Sequence, residues 1–461
     1  MHDLVIRNAD IVTPAGRIAG DLAVDGGRIA AIAPGLGRGR EEVEAAGRLL
    51  MPGGIDSHCH IAQRSIAGEP PCPDSWETAT RAAAAGGTTT VMPQSMAARG
   101  DDPAVVLDAY LATADRALID FGVHVQMPEA CPRVLAETLP ALAARGFRSI
   151  KMFTTYEGYA VTDAEMLAIL AAAAPLGMVC ILHAEDDPLV RHATTAERAA
   201  GRSTLDRQPF ARPQAAEAVM IHRAAAYAEA VGARLHIYHV SGAGGLAEVA
   251  RARARGTAIT AETCAHYLSF TSADLARPDF EGARFLCAPP LRPEADRQAL
   301  WDAVADGGLD MVSSDHSPRH RLAAIARARA GEPIPFNGFG GGFPGLQTML
   351  PAVFSGGVAT GRMTPERFAE VTAAAPARLF GLVRKGALVP GHDADLCLWD
   401  PAARWTVRQA DMLSAVDFTP WDGETLTGRP VLTVSRGRIV MQDGVVNAGA
   451  AGHGQLVERT A

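Results

Sequence analysis

The sequence predicts an α/β fold, in which a (β/α)8 barrel of the TIM type carries a small β-sandwich domain formed by the N- and C-terminal segments. Three observations predict this fold. Strand-like segments occur at both ends of the chain, apolar runs alternate with helical stretches between them, and unusual polar residues stand at the ends of those runs. With 461 residues, the chain is long enough for one barrel and a smaller companion domain.

The two ends of the chain share one strand-like sequence pattern. The first fifty residues alternate apolar and polar positions between Gly and Asp turns, and Gly26-Gly27 after Asp25 has the composition of a hairpin turn. The same style returns at 395–399 and 431–434. Chain termini often lie close together in space. We therefore expect residues 1–50 and 386–461 to form the β-sandwich and residues 51–385 to form the barrel.

The middle of the chain has the pattern of repeated βα units. Helices are indicated at 163–173 and 214–231, where apolar residues recur at intervals of three and four. Eight units that close on themselves are the simplest arrangement of this pattern. The eight apolar runs are 49–60, 88–93, 121–127, 149–154, 178–183, 235–240, 258–263 and 310–314.

Composition and charge exclude several classes of partner. A net charge of −8, a pI near 6.0 and the absence of a basic cluster argue against nucleic acid. Seven scattered cysteines without a CxxC pair fit a reducing cytoplasm better than a disulfide framework. The start of the sequence lacks a signal-peptide pattern, and no apolar run approaches the roughly 20 residues that span a bilayer. We expect a soluble, cytoplasmic protein with no membrane partner.

The first apolar run ends in two histidines that share one face. Residues two apart in a strand point the same way, so His58 and His60 point together while Cys59 points opposite. Two imidazoles at the mouth of a barrel suit a metal ion such as zinc. Taken alone, the pair is weak evidence for a metal, because such a pair is more often two hydrogen-bonded structural histidines.

Four further runs carry polar residues in matching positions. Lys151 stands within an apolar stretch, where a lysine is rare unless it is paired, chemically altered or long enough to reach the surface. His183, His239 and Asp315 end the fifth, sixth and eighth runs. A single such histidine is usually a core or helix-cap residue. Together, at the ends of five strands of one barrel, these residues predict a metal centre.

The sequence resembles the amidohydrolase superfamily, and within it the dihydropyrimidinase/hydantoinase branch with its allantoinase relatives. The resemblance covers essentially the whole chain. The matching segments are MPGGIDSHCH at 51–60, AGGTTT at 85–90, KMF at 151–153, HAE at 183–185, HVS at 239–241, ETCAHYL at 262–268, APPLR at 288–292, SDHSP at 314–318 and GHDADL at 391–396.

This resemblance implies two divalent metal ions, for which we expect zinc. His58, His60 and Asp315 would bind the more buried ion, and His183 and His239 the more exposed one. An ammonium group has no lone pair to donate to a cation. The resemblance therefore also implies that Lys151 is carboxylated by CO2 and bridges the two ions as an anion.

The implied reaction is hydrolysis of a cyclic amide. By the resemblance, Asp315 moves a proton from the attacking hydroxide to the leaving nitrogen. Tyr156 would stabilise the developing oxyanion, although an aromatic side chain that simply packs on the loop is the alternative. Backbone atoms near Ala288 and Gly341 would hold the amide groups of a small cyclic ureide or imide.

The specificity signal is mixed. Tyr156 and the segment VDFTP at 416–420 resemble hydantoinases and dihydropyrimidinases, whereas GGFPGLQ at 341–347 looks closer to allantoinases. Hydrolysis of a hydantoin or dihydropyrimidine is the first interpretation, and allantoinase is the alternative. A non-catalytic assembly protein related to dihydropyrimidinase is a third, which the complete ligand set disfavours. Dihydroorotase is disfavoured because Ala62 stands where its arginine would be. The resemblance implies a homotetramer or homodimer.

For several other polar residues, the sequence predicts supporting or structural positions. Glu185 is a candidate to orient His183 from behind the metal site. His266 is a candidate for a position behind the metal ligands, and His316 for a loop hydrogen bond or a catalytic role. We expect His124, His222 and His236 to be structural.

Overall fold

The computed structural model describes residues 1–64 and 71–460, and it confirms the predicted fold class. The chain opens with five strands outside the barrel: β1 (His2–Thr13), β2 (Gly16–Asp25), β3 (Arg28–Ala33), β4 (Gly39–Glu44) and β5 (Leu49–Pro52). Gly26 and Gly27 join β2 to β3, and their positive φ angles of 56° and 78° are those that a tight hairpin turn of this type requires.

The barrel follows directly. Its strands are β6 (Gly54–Cys59), β7 (Thr88–Ser95), β8 (Asp120–Phe121), β9 (His124–Gln126), β10 (Ser149–Phe153), β11 (Val179–His183), β12 (Arg234–Ile237), β13 (Ile259–Cys264) and β14 (Met311–Ser313). All pairings are parallel, in the order β14-β13-β12-β11-β10-β9-β7-β6, and the short β8 pairs with β7. A parallel bridge between Cys59 and His316 closes the ring.

The apolar run at 49–60, which we predicted as one strand, is two strands of different sheets. Leu49–Pro52 belongs to the terminal sheet, and Gly54–Cys59 belongs to the barrel. The chain changes sheets at Gly53, where an added Cβ would clash with the side chain of Thr89. Glycine therefore allows the close approach at this junction.

Helices surround the barrel, and two of them have the predicted bounds, 163–173 and 214–231. The helices are α1 (Trp76–Ala85), α2 (Pro103–Leu111), α3 (Leu139–Ala144), α4 (Asp163–Ala173), α5 (Asp187–Ala199), α6 (Gln208–Ala211), α7 (Gln214–Val231), α8 (Ala243–Ala254), α9 (Ala265–Ser269), α10 (Glu294–Asp306), α11 (Leu322–Arg329), α12 (Met349–Val353), α13 (Pro365–Ala369) and α14 (Ala375–Phe380). Thr162 and Glu165 form a capping box that begins α4. Among the described helices, none is both long and apolar enough to cross a membrane.

The C-terminal segment returns to the sheet of the first five strands. It adds β15 (Leu396–Thr406), β16 (Thr425–Ser435), β17 (Arg438–Gln442) and β18 (Val445–Val446), and β15 pairs antiparallel with β5. Both ends of the chain therefore lie in one continuous sheet, and their apolar side chains share one buried cluster that includes Leu4, Leu22 and Leu396. The exact domain boundaries remain a prediction, and the predicted spans include residues 65–70 and 461, which lie outside the described part.

The last residues of the chain pass beneath the barrel. Phe121 donates its backbone N–H to the carbonyl of Gln455. The buried guanidinium of Arg459 donates to the carbonyls of Phe380 and Val123 and to the Ser149 hydroxyl. This end of the barrel is therefore closed by side chains, and the opposite end is left for the site.

Candidate metal and active site

One cavity of about 750 Å³ at the carboxyl ends of the barrel strands is lined by all the predicted metal ligands and by Tyr156, Ala288 and Gly341. The cavity is within the usual size range for a small-molecule site. The candidate residues in its wall are His58, His60, Lys151, Tyr156, His183, His239, Ala288, Asp315 and Gly341.

His58, His60 and Asp315 converge on one point. Oδ1 of Asp315 lies 3.1 Å from Nε2 of His58 and 3.4 Å from Nε2 of His60. The candidate ligand atoms of the three residues all lie within 4.8 Å of one another. Burial alone would raise the pKa of Asp315, but the two histidines hold that pKa well below its usual range. The carboxylate is therefore ionised and suited to a cation.

A glutamate that the sequence reasoning missed fixes His58 from behind. Nδ1 of His58 lies 2.6 Å from Oε1 of Glu262, and Glu262 also accepts a hydrogen bond from Ser313. Nδ1 of His60 lies 2.9 Å from the side-chain oxygen of Gln63. These contacts occupy the Nδ1 atoms and leave the Nε2 atoms for a cation. An acid inside the apolar strand β13 was the available signal for Glu262.

His183 and His239 form the second half of the predicted set of metal ligands. Nδ1 of His183 lies 2.8 Å from Nε2 of His239. Nε2 of His183 lies 2.8 Å from Glu185, so Glu185 has the orienting position that the sequence suggested. Both histidine rings are buried. Two inward-facing nitrogens of this kind are a donor set for a borderline cation such as zinc.

Lys151 is fully buried, so the alternative that its side chain reaches the surface is wrong. Its Nζ has no hydrogen-bond partner among the described residues and lies 3.8 Å from the centre of the Tyr238 ring. Burial lowers the pKa of Lys151 to about 7. A large fraction of this amine is therefore neutral near neutral pH and retains the lone pair that reacts with CO2.

The second lysine in the chain provides a contrast. The sequence contains only Lys151 and Lys385. Nζ of Lys385 lies 2.6 Å from both Asp120 and Asp395 and 3.1 Å from Asp393. Lys385 is therefore neutralised in the ordinary way, whereas no carboxylate of residues 1–64 and 71–460 forms an ion pair with the buried Lys151. The residues around Lys151 fit a group that is completed by CO2 and metal ions.

Three of the site residues have left-handed backbone conformations. The φ angles are 79° at Tyr156, 42° at His239 and 44° at Asp315. Each such conformation costs about 1–3 kcal/mol in a residue other than glycine. Strain of this kind persists where the surrounding structure fixes a side chain, and here it aims three side chains into the cavity.

Tyr156 lies over the His183 side of the cavity. Its hydroxyl is 3.3 Å from Nη2 of Arg212, and its ring centre is 5.2 Å from that of His183. Nε of Arg212 donates to Glu185 at 3.0 Å. Arg212, a cavity residue that the sequence reasoning missed, thus joins Tyr156 to the residue that orients His183. No pattern around Arg212 signalled this position.

Ala288 and Gly341 lie on segments that touch. The N–H of Gly342 donates to the carbonyl of Leu286 at 2.9 Å, and an added Cβ at Gly341 would be 3.8 Å from Cα of Cys287. The two predicted backbone recognition segments therefore form one side of the cavity.

The remaining histidines have mainly structural contacts. His316 is buried, and its Nε2 lies 3.0 Å from Asp74, which favours the loop hydrogen bond over a catalytic role. His266 is buried and stacks on Phe343 with ring centres 4.4 Å apart. His124 lies between Ser149 and the Ser57 carbonyl.

The chain is similar over most of its length to several known proteins. Residues 49–440 match the model of the amidohydrolase family. The chain is 35% identical over 445 residues to a D-hydantoinase from Ralstonia pickettii, covering 96% of each chain. It is 37% identical over 467 residues to an allantoinase from Rubrobacter xylanophilus, covering 98% of this chain and 96% of that one. The crystal structure of a dihydropyrimidinase from Brevibacillus agri superposes with a TM-score of 0.92 at 31% identity, covering 99% of this chain and 98% of that one.

Proposed function

Because this chain belongs to the amidohydrolase family, we propose that it hydrolyses a ring amide bond of a hydantoin or dihydropyrimidine. One observation carries the proposal: a cavity at the mouth of the barrel is lined by four histidines, an ionised aspartate and a buried lysine that has no hydrogen-bond partner among the described residues. The similarity to a D-hydantoinase and a dihydropyrimidinase supports the substrate class.

Two divalent cations fit these residues, and we propose zinc. His58, His60 and Asp315 are the proposed ligands of one cation, and His183 and His239 those of the other. Lys151, carboxylated at Nζ, is the proposed shared ligand. When bound, the two cations would lower the pKa of a water toward about 7 and polarise a carbonyl group.

Asp315 is the proposed proton carrier. Its carboxylate, ionised at neutral pH because His58 and His60 hold its pKa down, accepts a proton from the attacking water. The water oxygen bonds to the ring carbonyl carbon, and the carbon–nitrogen bond then breaks. Asp315 returns its proton to the departing ring nitrogen, so the product carries a free ureide or amide nitrogen and a new carboxylic acid, which then loses its proton to the solvent.

Tyr156 is the proposed donor to the carbonyl oxygen. Burial raises the pKa of its phenol well above the ordinary value, so the hydroxyl keeps its proton at neutral pH. An N–H of Arg212 points at the phenol oxygen, which leaves the phenol proton available for the substrate. A donor aimed at the developing oxyanion contributes about 2.7–4 kcal/mol to catalysis.

The ring itself is held by backbone groups near Ala288 and Gly341. Both segments line the cavity, and backbone N–H and C=O groups match the alternating acceptors and donors of a cyclic ureide. Recognition by backbone atoms tolerates Ala at position 288, because the methyl group takes no part in it.

Allantoin is the second candidate substrate, favoured by the 37% identity to an allantoinase and by the segment at 341–347. Ring opening of hydantoin, a 5-substituted hydantoin, dihydrouracil and allantoin should be assayed side by side, with Asp315→Asn as the inactive control. Turnover of the first three supports the proposal. Activity confined to allantoin establishes the alternative, and no ring opening by metal-replete protein overturns both and favours a non-catalytic assembly role.

We propose that the protein works in the cytoplasm as a homotetramer or homodimer. All seven cysteines are free, as a reducing compartment requires. Light scattering during size-exclusion chromatography measures the mass in solution, and a mass of one chain would overturn the oligomer proposal.

A further inference from the structure

Arg321 is fully buried, and in the part of the chain that the structure describes its guanidinium contacts backbone carbonyls and an aromatic ring. Its Nη1 donates to the carbonyl of Ala283 at 2.5 Å, and its Nη2 donates to those of Leu286, at 2.9 Å, and Gly342. The guanidinium carbon lies 5.0 Å from the centre of the Phe418 ring. Among the described residues, no carboxylate forms an ion pair with this guanidinium.

Such a position is costly for a charged group. Burial lowers the pKa of Arg321 to about 9, well below its ordinary value. Arginines are almost never fully buried without a charged partner, because the guanidinium loses its hydration. General packing therefore does not explain why an arginine occupies this buried position, and its carbonyl contacts indicate a specific role.

Two of the three carbonyls that Arg321 contacts lie on the two segments that hold the substrate ring in the proposed function. Leu286 stands two residues before Ala288, and Gly342 directly follows Gly341. One nitrogen of Arg321 bonds to both segments, beside the direct bond between the Gly342 N–H and the Leu286 carbonyl. The planar guanidinium offers five N–H donors in fixed directions, which suits it to fix several carbonyls at once.

We propose that Arg321 is a positioning residue that fixes the spacing of the backbone groups at 286–288 and 341–342, and thereby the binding of the substrate ring. This inference rests on the proposed function for the identity of the bound ring. Arg321 touches neither the candidate metal ligands nor Tyr156, so it acts on substrate binding rather than on bond cleavage.

The C-terminal segment holds Arg321 in place. Oδ1 of Asp417 accepts the N–H of Arg321 at 3.1 Å, and Oδ2 accepts the N–H of Leu322 at 3.2 Å, where α11 begins. Phe418, the next residue, supplies the ring beside the guanidinium. Residues 417–418, outside the barrel strands, are thus coupled to the ring-binding segments.

A matched arginine exists at the other end of the barrel. Arg459 is also buried, has its pKa lowered to about 9 by burial, and donates to two carbonyls beside the Phe380 ring. Arg321→Met and Arg459→Met therefore remove equivalent contacts, at the cavity and away from it.

The two variants should be compared by steady-state kinetics on the best ring substrate and by backbone hydrogen exchange. For Arg321→Met we expect KM to rise about tenfold with kcat within about threefold, since a tenfold change corresponds to loss of one modest interaction. Exchange should be faster in peptides that cover 286–290 and 340–345. Arg459→Met should lower thermal stability similarly but leave KM and these peptides unchanged.

Several results would overturn the inference. One is a folded Arg321→Met variant in which both KM and the hydrogen exchange of these peptides are unchanged. Another is a rise of KM in Arg459→Met that equals the rise in Arg321→Met. If Arg321→Met does not fold, Phe418→Leu must give the same two changes more weakly, and wild-type behaviour of that variant also overturns it. The failure of the proposed function can be told apart from the failure of this inference. If the wild-type protein opens no ring, the proposed function is refuted. The hydrogen-exchange comparison needs no substrate, so it still tests whether Arg321 holds the two segments.

Discussion

Nδ1 of His183 and Nε2 of His239 face each other at 2.8 Å inside the barrel mouth. Glu185 accepts the other N–H of His183, which makes Nδ1 of His183 an acceptor with a free lone pair. A cation can engage both facing nitrogens as acceptors, whereas a direct hydrogen bond uses one of them as a donor. This pair therefore gives a specific test for metal binding.

His239→Ala is expected to lower the metal content from two divalent ions per chain to one, because it removes one of the two proposed histidine ligands of the second ion. Elemental analysis of dialysed protein measures this number, and chelation of wild-type protein should abolish ring opening until zinc is restored. His222→Ala, at an exposed histidine paired with Glu248, is the control and should keep both ions. Two ions retained in His239→Ala would contradict the assignment.

Lys151→Ala is expected to abolish activity, with partial rescue by a short carboxylate that replaces the bridging anion. The underlying modification is directly observable, because Lys385 is the only other lysine. Zinc-loaded protein in labelled bicarbonate should show one carbamate carbon signal by NMR, absent in Lys151→Ala and retained in Lys385→Arg.

The modification should also depend on pH in a defined direction. The amine of Lys151 has a pKa of about 7, and only the neutral form adds CO2. At a fixed concentration of dissolved CO2, reactivation of decarboxylated protein should therefore speed up as pH rises through about 7. A rate that falls over this range, or a carbamate signal that survives Lys151→Ala, would remove the bridge from the proposal.

Much of the fold follows from local sequence patterns. The helix bounds at 163–173 and 214–231 follow from apolar periodicity. The polar residues after apolar runs correctly indicated that His58 lies near the end of β6, that His183 ends β11 and that His239 follows just after β12, which ends at Ile237. Apolar periodicity could not divide the run at 49–60 into two strands, because both strands are buried and read as one continuous apolar run. The change of sheet occurs at Gly53, where Thr89 approaches closely, and this contact is not visible in the local sequence.

The site was predictable where a residue's chemistry conflicts with its surroundings. Histidines and a lysine at the ends of apolar strands are such conflicts. Arg212 and Arg321 stand in segments with no periodic pattern, and their roles come from contacts between residues far apart in the chain. A single sequence contains no signal for contacts of that kind.

Lys385→Met is expected to destabilise the fold strongly. It would leave the buried Asp120 and Asp395 and the partly buried Asp393 without their ammonium group, and removing one partner of a buried ion pair costs about 3–5 kcal/mol. Urea denaturation measures the loss. Arg116→Met, which removes an exposed ion pair with Glu77, is the control and should change stability little.

The pH dependence of this network has a definite sign. Burial alone would lower the pKa of Lys385, but Asp395 and Asp120 outweigh it and raise the pKa. The contribution of Lys385 to stability is therefore complete below the unfolded lysine pKa of about 10.4 and is lost as pH rises above it. Wild-type and Lys385→Met stabilities should converge at high pH, and a constant difference would contradict the network's role.

Arg212 should matter to catalysis through Tyr156. Tyr156→Phe is expected to lower kcat by about 10²–10³-fold with little change in KM, since it removes a donor to the developing oxyanion. Tyr159→Phe, in the same cavity wall, is the control and should lower kcat much less.

Arg212→Met should then lower kcat by about tenfold in the wild-type background but hardly at all in the Tyr156→Phe background, because the two residues act as a pair. The reason is geometric. Arg212 donates to both the phenol oxygen and Glu185, and without it the phenol proton is free to turn toward the Glu185 carboxylate instead of the substrate. Arg212 also reaches His183 through Glu185, so metal content must be measured in each variant. A loss of metal, or a loss of kcat that persists undiminished in the Tyr156→Phe background, would assign Arg212 to the metal ligands and remove it from the orientation of Tyr156.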